Sequence, residues 1–329
     1  MAKQSSKEFV LKAHIKDFVF VGNPINVNCR LPFNISDHLK LKRPNNTQLD
    51  KIRKYLDWLG GACDNCGPFE RSYIKKSEED KDGIPIFIYD SNPLPEKEWC
   101  YYIVEFKDCE PSFEQGCSEI RDLRAVSKLT QFPLRLNPVF TLEARLSNFT
   151  SDWEYFTDIA VTGGEVYTLE LKHLEELKYY YSTLIKLHDT HPDIVRSILM
   201  YHEIPDRQGY NELTTLGLFS VLESLLTHSP TGEYDSIGQQ IRKKIALLQK
   251  RLIQPLEYSC FDSASHDAIW NKLYDYRSRI AHGGEVRFDK KLSVLRDPYN
   301  IELFLRNAVR ILLGGALEEP DLYSDLRAV

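Results

Sequence analysis

Two hydrophobic rhythms divide the chain. In the first half, "FVLKAHIKDFVFVG" (9–22), "HLKLKR" (38–43), "IPIFIYD" (84–90), "WCYYIVEFKD" (99–108) and "LRLNPVFTLEARL" (134–146) alternate apolar with polar residues or cluster β-branched and aromatic ones. Both patterns suit a pleated strand with one face buried. Between them, "NTQLDKIRKYLDWLGG" (46–61) takes a helical period, with Thr47 as its N-cap and Gly60–Gly61 as its stop, and "FEQGCSEIRDLRAVSKLTQF" (113–132) predicts a second helix. After "TGGEVYT" (162–168) the two-residue alternation fades. Helical segments follow at roughly 168–188, 193–203, 211–228, 235–254, 265–282 and 298–314, separated by Pro, Gly or capping residues. The expectation is an α+β N-terminal domain over 1–165, built on a mostly antiparallel sheet, followed by an all-α helical bundle over 166–329.

Individual positions sharpen the helical half. In "NELTTLGLFSVLESLLTH" (211–228), Leu213, Leu216, Phe219, Leu222, Leu225 and Leu226 recur every three or four residues, as a core-facing helix requires. Glu223 stands on or beside that stripe. A carboxylate there is costly to bury unless a cation or hydrogen-bond donor meets it, and Arg277 is the expected partner. In "AIWNKLYDYRSRIAHGG" (268–284), Ile269, Leu273, Tyr276 and Ile280 share a face, and Gly283–Gly284 provide a left-handed stop. His282 then falls in the last turn.

Composition adds boundaries rather than detail. With 42% hydrophobic and 27% charged residues in 329, the chain is an ordinary globular one with enough material for two cores. Charge interrupts the N-terminal apolar residues and no long apolar run occurs, which predicts a cytoplasmic protein with no membrane span. The net charge of −6 argues against coating nucleic acid by bulk electrostatics, so an anion site has to be local. One basic strip exists, "QQIRKKIALLQKR" (239–251), which carries Arg242, Lys243, Lys244, Lys250 and Arg251 with no acid between them. It is either a solvated helix face or an approach surface for RNA.

No G-x-x-x-x-G-K-[ST], G-x-G-x-x-G, H-E-x-x-H or G-x-S-x-G string is present, which removes support from P-loop NTPases, dinucleotide oxidoreductases, zincins and serine hydrolases. The seven cysteines are odd in number and irregularly spaced, as reduced thiols are. Cys63 and Cys66 have zinc-ligand spacing but no second pair, and a zinc-dependent nucleic-acid sensor requires metal there. No cofactor is expected.

Arg277 and His282 remain as chemistry. Arginine grips phosphate oxygens in pairs and histidine exchanges protons near neutrality. RNA supplies its own nucleophile, the 2′-hydroxyl, so a base and an anion stabiliser suffice to cleave it. Positions five apart on a regular helix lie about 140° from each other. The two groups therefore converge only if the last turn unwinds or another group helps. The alternative is structural, with Arg277 bridging to Glu223 or Asp275 and His282 capping its helix.

The succession "LFSVLESLL", "TGEY", "IGQQIRKKIALL" and "LYDYRSRIAHGG" resembles the Apea-like branch of the HEPN family (higher eukaryotes and prokaryotes nucleotide-binding domains), most clearly over 211–290. "LKLKRPNNTQLDKIRKYL" resembles regions that accompany such domains. The resemblance implies an HEPN-like bundle acting as a metal-independent endoribonuclease, a toxin or phage-defence effector that leaves a 2′,3′-cyclic phosphate. It assigns catalysis to Arg277 and His282 and a supporting place to Glu223, with RNA and a protein trigger or antitoxin as partners. It also implies a homodimer or higher homo-oligomer whose two motifs share one cleft. Ser278, Arg279 and Tyr274 are expected as supporting contacts, and Tyr276 as a wall residue. Ser278 follows the arginine where proven HEPN nucleases often carry Asn, Asp or His, although Apea-like members do carry R-S. Some HEPN domains only bind RNA, a nucleotide or a protein partner, and that non-catalytic module is the alternative.

Overall fold

A computed structural model of the chain describes residues 18–60, 67–79, 85–106, 113–140, 166–206, 210–229, 236–261 and 264–328. The chain divides into two compact units, Met1–Tyr179 and Tyr180–Val329.

The first unit centres on a five-stranded sheet that is antiparallel throughout. Its strands are β1 (Phe18–Val21), β3 (Phe33–Asn34), β4 (Leu39–Lys42), β7 (Ile103–Phe106) and β8 (Leu136–Phe140), in the order β3-β4-β7-β1-β8. Strand β1, flanked by β7 and β8, reads FVFV and is buried at every position, the signature of a strand covered on both faces. Helix α1 (Asn46–Gly60) supplies Ile52, Tyr55 and Leu56 to a core shared with Phe18, Phe20, Ile103 and Phe140. There the Phe18 and Phe140 rings stack at 4.9 Å. In β4 the alternation is literal, with Leu39 and Leu41 buried while Lys40 and Lys42 reach Glu105 on β7 at 2.8 and 2.9 Å.

Further elements complete this unit, some expected from the sequence and some not. Strands β5 (Arg71–Glu79) and β6 (Pro85–Pro93), the latter overlapping the expected strand at 84–90, pair antiparallel in a two-stranded sheet of their own, preceded by the short helix α2 (Gly67–Glu70). Strand β2 (Ile25–Asn28) pairs in parallel with β9 (Tyr167–Glu170), which leads directly into α4 (Leu171–Thr190). Helix α3 is Phe113–Ser127. Thr47 does not cap α1. Asn45 and Gln48 cap it reciprocally, the Gln48 N–H donating to Asn45 Oδ1 at 2.9 Å and the Asn45 N–H to Gln48 Oε1 at 3.0 Å. Each partner satisfies an amide that the helix leaves open, which a single threonine hydroxyl does not achieve.

The second unit is helical: the end of α4, then α5 (Pro192–His202), α6 (Glu212–Leu226), α7 (Ile237–Leu248), α8 (His266–Ala281), α9 (Pro298–Glu318) and α10 (Pro320–Ala328). Helix α6 is central, touching α5, α7, α8, α9 and α10. Its buried residues, Thr214, Thr215, Leu218, Phe219, Val221, Leu222, Leu225 and Leu226, spread around most of its circumference, as contact with five neighbours requires. Each large apolar side chain among them contributes roughly 2 kcal/mol relative to exposure. Leu213 corrects the expected stripe. It lies in the first turn, 76% exposed, because the face turned inward there carries Thr214 and Thr215.

Candidate functional site

Glu223 and Arg277 meet. Glu223 projects from the penultimate turn of α6 and Arg277 from the last third of α8. Arg277 Nε lies 3.1 Å from Glu223 Oε1, and Arg277 Nη2 donates to Glu223 Oε2 at 3.2 Å. Only the second contact has hydrogen-bond alignment, so the pair is one hydrogen bond beside one close charge contact. The side chains retain 26% and 19% of their exposure, a setting between surface and interior. Asp275, the other partner weighed for Arg277, instead accepts from Arg279 Nε one turn on, at 3.2 Å.

Glu223 occupies the Nε/Nη2 edge of the guanidinium. Of its five N–H donors, those on Nη1 and the second on Nη2 make no hydrogen bond among the described residues. That remaining edge has the forked spacing that matches two oxygens of a phosphate.

The guanidinium also lies over an aromatic ring. Tyr274, one turn earlier on α8, places its centroid 5.8 Å from Arg277 Cζ and meets Phe219 of α6 edge to face at 6.3 Å. Burial raises the Tyr274 hydroxyl above its ordinary pKa, the Glu223 charge adds to that, and Arg277 opposes it. Gly238, in the first turn of α7, backs onto the same ring. A Cβ built there would stand 2.7 Å from Tyr274 Cδ1 and 2.9 Å from Cγ, closer than side chains approach. Glycine is thus required by proximity. An isolated glycine inside an otherwise helical pattern is the sequence signal that marks such an approach.

His282 occupies the C-cap of α8 with φ −108° and ψ 10°. Its N–H reaches back to the carbonyls of Ser278 and Arg279, Gly283 takes φ +65°, and the Gly284 N–H closes on the Arg279 carbonyl at 2.8 Å. This Schellman-type closure needs the left-handed residue that Gly283 supplies without a Cβ penalty. It leaves the His282 side chain exposed, and its ring makes no hydrogen bond among the described residues.

The remaining expected contacts separate into exposed and engaged. Ser278 is half-buried. Arg279 is tied to Asp275 and, through Nη1, to the Glu285 carbonyl at 3.0 Å, so it folds the post-helix segment back onto α8. Tyr276 is buried, its hydroxyl bonded to that of Tyr210 and its ring 5.7 Å from Phe288, which makes it packing and not a wall residue. Burial pushes its hydroxyl pKa far up, and the Tyr210 contact adds to this. Lys243 and Lys250 are exposed, while Arg251 pairs with Glu319 at 2.8 Å. Lys244 departs from expectation. It is 6% exposed, because Gln240, Ile241, Lys244, Ile245 and Leu248 form the inward stripe of α7 at helical spacing. It cannot belong to a solvent-facing approach surface.

Cys63 and Cys66 lie outside the described residues. Among the described residues no group of three or more His, Cys, Asp or Glu side chains is placed to hold a metal ion, and no helix is long and apolar enough to cross a membrane. Compared with known proteins, the chain matches no family model, no curated protein and no solved structure.

Proposed function

We propose that the helical unit is an HEPN-type, metal-independent endoribonuclease of Apea-like character, with Arg277 and His282 as its catalytic pair. One observation carries the reading: Glu223 holds Arg277 by one edge of the guanidinium and leaves the forked edge uncommitted, on the helix whose exposed C-cap is His282. In the proposed reaction His282 accepts the proton of a ribose 2′-hydroxyl. The 2′-oxygen bonds to the adjacent phosphorus, the bond from phosphorus to the 5′-oxygen breaks, and that oxygen leaves as a hydroxyl after taking a proton. The products are a 2′,3′-cyclic phosphate and a 5′-hydroxyl. Arg277 neutralises the phosphorane, in which charge accumulates on the non-bridging oxygens. A second copy of the chain resolves the angular problem on α8, since it can bring His282 beside the partner's arginine, and a homodimer or larger homo-oligomer belongs to the proposal. So does the role of toxin or defence effector, with a protein trigger or antitoxin acting through the N-terminal unit.

Incubation of the full chain with labelled RNA in EDTA tests this. Cleavage to cyclic-phosphate ends is expected, and His282→Ala abolishes it while leaving the circular dichroism unchanged. Intact RNA with a folded wild-type chain refutes it. A non-catalytic module binding RNA, a nucleotide or a partner protein is the second reading, favoured by the fact that Glu223 already neutralises the Arg277 charge within the chain. Binding without cleavage selects it.

A further inference from the structure

Three elements converge on one aromatic ring, and the arrangement says more than that the ring is packed. Tyr274 is fixed from two directions: Gly238 of α7 lies so close that a single added carbon would collide with it, and Phe219 of α6 meets it edge to face at 6.3 Å. Arg277 lies over that same ring at 5.8 Å, while Glu223 holds one edge of its guanidinium. A single hydrogen bond and one unaligned charge contact do not fix the orientation of a planar cation, which can pivot about its Nη2–Oε2 contact. A ring beside it removes that freedom, because a guanidinium gains most when stacked on an aromatic face.

We propose that Tyr274 is the positioning residue for Arg277: its ring, seated on Gly238, fixes the plane of the guanidinium so that the edge left open by Glu223 meets a phosphodiester squarely. The phosphate half of this inference rests on the ribonuclease reading given above. The geometric half, ring fixing cation, does not.

Tyr274 touches no reacting atom in this scheme, and its hydroxyl is dispensable. Tyr274→Phe therefore keeps the Arg277 orientation and the activity. Tyr274→Leu keeps the apolar volume but removes the stacking face, and a misplaced fork costs about 10- to 100-fold in kcat. KM changes little, since the charge remains. Gly238→Ala displaces the ring without removing it and gives the same split in milder form.

The decisive readout is independent of catalysis. In the full chain, the Arg277 Nε–H resonance is assigned by its loss in Arg277→Lys. It is expected to be sharp and slow to exchange in the wild type and in Tyr274→Phe, and to broaden or exchange rapidly in Tyr274→Leu and Gly238→Ala. A sharp, slow resonance in Tyr274→Leu overturns the positioning role whatever the activity. If the wild type leaves RNA intact but the resonance follows this order, the ribonuclease reading fails and the positioning role stands. If RNA is cleaved and Tyr274→Leu retains the wild-type kcat, the ribonuclease reading stands and the positioning role fails. Thermal melts of each variant establish that it is folded before either readout is taken.

Discussion

Replacing Glu223 by glutamine removes a charge and almost no volume, so it measures what the carboxylate does for Arg277. Two unit charges about 4 Å apart attract by about 4 kcal/mol at an effective dielectric of 20, and desolvation of both groups offsets much of that. Exposed pairs are worth under about 1 kcal/mol, and breaking fully buried ones costs about 3–5 kcal/mol. With 19% and 26% of their exposure retained, Glu223 and Arg277 fall between these cases. Glu223→Gln is expected to destabilise the helical unit by about 2 kcal/mol, since Arg277 is left half-buried opposite a neutral amide. Arg277→Met is expected to cost a similar amount. The double variant should cost little more than either single one, a coupling of about 1–2 kcal/mol. Native-state hydrogen exchange of the α6 and α8 amides in the full chain reads these values for the helical unit alone. Raising the salt concentration should weaken the coupling only slightly, because the pair is shielded from the ion atmosphere. Costs that add within about 0.3 kcal/mol refute the reasoning, and with it the claim that α6 and α8 are joined electrostatically at this point.

Two further expectations concern other parts of the molecule. Burial alone would raise the Glu105 carboxyl, but hydrogen bonds from Lys40, Gln48 and Lys42 overcome it and hold the pKa below its ordinary value of 4.5. The stability it contributes is complete above that value and is lost as the pH falls through the lower, folded-state value; Glu105→Gln should flatten the acid limb of a denaturation profile, and an unchanged limb counts against it. Arg296 has φ 63° and ψ −71° with an Asp297 N–H bond to the Leu295 carbonyl at 2.8 Å, a γ-turn that strains any residue with a Cβ. Arg296→Gly should thus be more stable than Arg296→Ala by about 1 kcal/mol in urea denaturation, both having lost the same side chain; equal stabilities dismiss the strain.

The parts of the fold that were legible in sequence are those governed by local rules. The C-terminal end of α8 follows from the Gly283–Gly284 stop, whereas its Ser265 cap, whose hydroxyl accepts the Ala268 N–H, is seen only in the structure. The Glu223–Arg277 pair was legible because a carboxylate on the margin of an apolar stripe demands a cation. Lys244 was not, since its placement depends on which face of α7 turns inward, and the run of basic neighbours conceals a stripe that includes it. Gly238 and Tyr274 were unconnected in sequence for a related reason: their meeting depends on how closely α7 and α8 approach, which no periodicity within either helix encodes. Strands β2 and β9 escaped for the opposite cause, being four residues each and paired across most of the first unit.

That last pairing bears on how the chain can be divided. Among the described residues, Ile25–Asn28 pairs as a strand only with Tyr167–Glu170. A cut at residue 165, where the strand-like alternation gives out, separates the two and turns an internal seam into bare backbone ready to recruit another molecule.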